Sequence, residues 1–129
     1  MTRALPLPLL VVLALLVAGC GGSSAPSFYT AAKTRACLRD AKARVGPATD
    51  FVASTATGGS LKARLTDNFV TIAFGATQSD ADNIQAAYTR FAAKNVGVSD
   101  VLRQQSNAVM LWHEHPSDAD LALVTGCLK

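Results

Sequence analysis

The chain is poor in the residues that chemistry usually needs. Its 129 residues include two histidines, three cysteines and one tryptophan, and only 16% are charged. No GxSxG or SxxK stretch supplies a serine nucleophile. Thr57-Gly58-Gly59-Ser60 is glycine-rich but lacks the lysine and following helix of a phosphate loop. There is no Cys-x-x-Cys and no Cys/His cluster, which removes redox and structural zinc readings. Asp80/Asp82 and Asp118/Asp120 look like acid–base pairs, yet helix capping explains them. The sequence therefore points away from an enzyme and implies no cofactor. A net charge of +3 is too small to suggest nucleic acid as a partner. Half the residues are apolar, too many for a disordered chain, and the length suits one small domain.

The opening residues have their own pattern. Met1-Thr2-Arg3 gives a positive start, and residues 4–18 are uncharged and apolar. That run is short for a membrane span, which needs about 20 residues, but suits the core of a secretory signal. Val17-Ala18-Gly19-Cys20 closes it with small residues before a cysteine. This stretch resembles the lipobox of bacterial lipoproteins, over residues 1 to about 22. The resemblance implies a signal peptide over 1–19, cleavage before Cys20, and a diacylglycerol thioether on that cysteine, with palmitate or another acyl chain on the new N-terminus. The alternative is a plain secretory peptide that leaves Cys20 as a free thiol. Residues 20–27 (CGGSSAPS) then read as the lipidated cysteine and a flexible tether. The expected location is the extracytoplasmic side of the cell membrane, with the membrane itself as partner through Cys20. Loss of Arg3 on cleavage takes the net charge from +3 to +2.

Setting Cys20 aside leaves Cys37 and Cys127 in a compartment where disulfides persist, and we expect them to pair.

Residues 28–129 read as a single domain. A helix over 30–45 ends at Gly46-Pro47, and residues 46–60 form a long loop with a helical turn near Phe51. Leu61–Leu65 alternates as a strand, Asp67-Asn68 signals a hairpin turn, and Phe69–Phe74 is a second strand. Ser79–Lys94 is a helix. The order then repeats: a strand over 98–104, a turn at Ser106-Asn107, a strand over 108–113, and a helix over 117–128. Ser79-Asp80-Ala81-Asp82 recurs as Ser117-Asp118-Ala119-Asp120, each serine placed to cap a helix. A helix followed by two strand-strand-helix units implies an α+β two-layer sandwich of ferredoxin-like type, a four-stranded antiparallel sheet with helices on one face.

Alternation then puts Val70, Ile72 and Phe74, with Val109 and Leu111, under the helices. It leaves Phe69, Met110 and Trp112 on the opposite face, with Lys62 and Arg64 flanking. That strip is the candidate binding face, covered by the 46–60 loop, by a second copy, or by an external partner. The only metal-like cluster is Trp112-His113-Glu114-His115, in which His113 and His115 point the same way along an extended strand. No third ligand is placed near them. The leading expectation is a non-catalytic binding or interaction domain, and the alternative is a metal-handling envelope protein using His113 and His115.

Overall fold

The computed structural model describes residues 28–92 and 97–129; the signal core, Cys20 and the tether lie outside them. The first helix, α1 (Ala31–Asp40), is shorter than its periodicity suggests. Thr30 caps it by accepting from the Lys33 amide. It stops because Lys42 takes a left-handed φ of 67°. There the Lys42 and Ala43 amides turn back to the Arg39 and Leu38 carbonyls, both at 2.9 Å. This paired ending closes a helix whatever the residues beyond it prefer. It frees Arg44–Gly46 to become an edge strand, β1.

The elements that follow are α2 (Phe51–Ser54), β2 (Ser60–Arg64), β3 (Phe69–Phe74), α3 (Gln78–Phe91), α4 (Val98–Val101), β4 (Leu102–Gln105), β5 (Ala108–Trp112) and α5 (Asp118–Gly126). The five strands form one antiparallel sheet in the order β1-β2-β3-β5-β4. The expected four strands thus gain β1, and the strand expected over 98–104 splits into a helical turn and a shorter strand. The cap of α3 is also earlier than expected. Thr77, not Ser79, accepts from the Asp80 amide, and the Asp80 carboxylate accepts from the Thr77 amide in return. Gly75 makes room for this turn, since a Cβ there would lie 2.5 Å from the Ala81 nitrogen. Ser117 caps α5 as expected.

The largest correction concerns the faces. Opposed residues in an antiparallel pair share a face, and β3 meets β5 as Val70↔Trp112, Ile72↔Met110 and Phe74↔Ala108. Val70, Ile72 and Phe74 therefore sit with Met110 and Trp112, not with Val109 and Leu111. That set packs with Leu38 of α1 and Val124 of α5. The other set, Ala73 and Val109, packs with Ala53 of α2 and with Ala81, Ile84 and Tyr88 of α3. Helices thus cover both faces, and the two-layer arrangement with one open face does not hold. Met110 and Trp112 are 1% and 2% exposed. β3 and β5 are mostly apolar because helices pack on both of their sides.

Two asparagines lock the central pair at opposite ends. Asn68, just before β3, donates to the Glu114 carbonyl and accepts from the Glu114 amide, at 3.1 and 3.2 Å. Asn107, just before β5, donates to the carbonyls of Gly75 and Tyr29 and accepts from the Tyr29 amide. The two turns use their asparagines alike, whereas α3 and α5, which follow the matching strands, go to opposite faces. Cys37 of α1 and Cys127 after α5 form a disulfide, their Cα atoms 5.3 Å apart. Both helices lie on the same side of the sheet.

Two outcomes follow. The disulfide closes a loop of sequence separation 90, and such a loop restricts the unfolded chain by about 4 kcal/mol. Urea unfolding with and without reductant should show a loss of that order; an unchanged midpoint would remove the disulfide from the stability argument. Lys42→Gly should raise stability by about 1 kcal/mol, because glycine adopts positive φ without the steric cost a Cβ carries.

Candidate functional site

On the face shared by Ala73 and Val109, helix α3 covers only part of the sheet. Beyond it, Phe69, Thr71 and Leu111 form the floor of a cleft of about 620 Å³. Phe51 and Val52 of α2, Tyr88 and Phe91 of α3, and Val98 and Val101 of α4 make its walls. The volume falls in the range of small-molecule sites, about 300–1,000 Å³. Phe51 and Phe91 are 74% and 67% exposed, the two most exposed large apolar side chains among the described residues. Both stand on the same rim. Ile84, Tyr88 and Phe91 follow helical spacing, but α3 runs past the sheet it packs on, so Phe91 overhangs the cleft instead of entering the core.

One carboxylate organises two walls. Asp50 Oδ1 caps α2 by accepting from the Ala53 amide at 2.8 Å, and it accepts the Tyr88 hydroxyl at 2.9 Å. Burial, reinforced by the Asp50 charge, pushes the Tyr88 phenol well above its ordinary pKa of 10.0. The third wall, α4, is tied to the segment after β5 by His115 Nδ1 and Asp100 Oδ1, 2.7 Å apart. At the mouth, the His113 ring stacks on Phe69 with centroids 4.3 Å apart. Lys62 Nζ lies 4.0 Å from the centroid of the same Phe69 ring.

The residues singled out from sequence therefore separate. Phe69 lines the cleft, Met110 faces the core under α1 and α5, and Trp112, buried in that core, also reaches the cleft lining. The expectation of one shared strip fails because the β3–β5 register, not alternation within each strand, decides which residues meet. His113 and His115 do not act as a pair, since β5 ends at Trp112 and alternation does not extend through them. One is stacked on Phe69 and the other is engaged by Asp100. Among the described residues no group of three His, Cys, Asp or Glu side chains comes together. The aspartates serve the helices: Asp80 and Asp120 lie in first turns, and hydrogen bonds from Gln104 and Gln78 hold Asp82 below the usual carboxylate range. Sequence reasoning missed Phe51, Phe91, Val98 and Val101 as site residues. The available clue was two phenylalanines at element ends, Phe51 opening α2 and Phe91 closing α3.

Tyr88 gives the site an alkaline signature. The folded protein keeps a phenolic proton that the unfolded chain releases near pH 10. Its stabilisation is complete below that pH and declines as pH rises above about 10. Thermal melts across pH 8–11 should show this decline, and Tyr88→Phe should flatten it; equal slopes would exclude Tyr88 as the cause. Comparisons with protein families, with curated proteins and with solved structures find no match to this chain, so its function is read from the cleft and its surroundings.

Proposed function

We propose that this protein is a lipid-anchored, non-catalytic binding module on the extracytoplasmic side of the membrane, with the cleft between α2, α3 and α4 as its ligand site. The observation that carries this reading is the convergence of Phe51 and Phe91, both strongly exposed, on the rim of one apolar cleft. Exposing two large aromatic side chains costs burial free energy of about 1.5–3 kcal/mol each, a cost that makes sense where they meet an apolar ligand. Polar groups at the site are engaged in holding walls and caps, which suits binding better than turnover.

The anchor reading rests on the lipobox resemblance at Val17–Cys20. A disulfide-linked domain suits the same compartment. Among the described residues no helix is long and apolar enough to cross a membrane.

The two parts are tested separately. Cys20→Ser should move the protein from the membrane fraction to the soluble extracytoplasmic fraction; continued membrane association would overturn the anchor. The full chain should bind the neutral apolar dye Nile red with a blue-shifted emission. Phe91→Ser should weaken that binding about fivefold or more, from the aromatic area removed, while the exposed Ala36→Gln leaves it unchanged. Dye binding insensitive to Phe91→Ser would exclude the cleft.

A further inference from the structure

We infer that the cleft takes a single-chain amphiphile with an anionic head, its chain among the apolar walls and its head at Lys62. This inference rests on the cleft reading above and adds the ligand's chemistry to it.

The apolar part follows from size and lining. At about 30 Å³ per methylene, close to the volume of a water molecule in the liquid, 620 Å³ holds a chain of about 20 carbons. The walls are Val, Phe and Leu side chains with Tyr88, whose hydroxyl already belongs to Asp50. Polar groups in the lining are few: Thr71 in the floor, the unpartnered Trp112 Nε1, Asp50 holding α2 and Tyr88, and His113 stacked on Phe69.

The head follows from register. Lys62 pairs with Thr71, Arg64 with Phe69, and Arg44 with Arg64. Opposed residues share a face, so Lys62 stands beside the Thr71 and Phe69 floor, while Arg44 and Arg64 lie farther out at the sheet edge, where they also line a recess with Asp120 and Leu123. Only Lys62 is held against the cleft by a direct contact, over the Phe69 ring. Arg44 and Arg64 are like charges directly opposed, an arrangement that costs stability unless an anion sits nearby. Among the described residues the one ion pair is His115–Asp100, so none of the three cations has a carboxylate partner.

A carboxylate or phosphate at the mouth would leave Phe69 stacked on His113 and draw Lys62 from the ring to the head. A chain with a cationic head would meet Lys62 and be repelled. The cleft should therefore distinguish head charge at equal chain length.

The test uses the full chain with Nile red as reporter and two twelve-carbon competitors, laurate and dodecyltrimethylammonium. Laurate should displace the dye at about tenfold lower concentration, the scale of a charge-assisted contact. Lys62→Gln should reduce that preference, read as the ratio of the two competitors on the same variant, to about twofold or less, and Lys62→Arg should preserve it. Equal displacement by both competitors, or a preference untouched by Lys62→Gln, overturns the inference and leaves the cleft reading standing. Failure of the dye itself to bind overturns both.

Discussion

The pairing of β3 with β5 decides what every neighbouring residue does. Val70↔Trp112 and Ile72↔Met110 place two apolar sets back to back across one sheet. A slip by one residue would exchange them, sending Trp112 toward α3 and Leu111 toward α1. The asparagine clamps oppose such a slip, since each spans from the start of one strand to the end of the other. Asn107 is 1% exposed and has all of its amide groups engaged. A buried side chain of that kind is costly in any register that leaves it unpaired. The cleft inherits its floor from this constraint: Phe69, Thr71 and Leu111 face α2, α3 and α4 because their neighbours face the disulfide-linked pair of helices.

Much of the local structure was legible. β3 begins and ends where its apolar run does, the Asp67-Asn68 and Ser106-Asn107 turns are where the polar pairs stand, and Ser117 caps α5. The cysteines pair as their number suggested. These features depend on neighbours within a few residues. β1 does not: Arg44–Gly46 has no strand pattern and exists because α1 ends at Lys42, a residue with no special liking for positive φ. The Val98–Val101 turn has β-branched ends and reads as strand, but here Val98 packs with the cluster under α2 and α3, Val101 with the cluster that holds Trp112, and both wall the cleft.

The candidate site was legible only in part. Phe69 carried enough information, as an aromatic at a strand start beside cations. Met110 and Trp112 misled because their strand is apolar on both sides, so alternation has no phase to report. When both faces are buried, sequence shows that a strand is central without showing which neighbour lies on which side. The continuous run Ala108–Trp112 was itself evidence for helices on both faces, and it outweighs the ferredoxin-like element order.

The way the chain's two ends meet has a mechanical consequence. The Thr30 amide bonds the Lys129 carbonyl at 2.7 Å, and a covalent link between Cys37 and Cys127 lies a few residues inward from each. Tyr29 is held at the Gly75–Asn107 end of the central strands, about 17 Å along β3 from the Phe69 end at a rise of about 3.4 Å per residue. A pull applied at Phe28 therefore first loads the Tyr29 bonds to Asn107 and Gln105 and the Thr30–Lys129 bond. Once those few bonds give way, force is taken up by the first two turns of α1 and passed through sulfur to the other end of the chain, past the strands that carry the cleft.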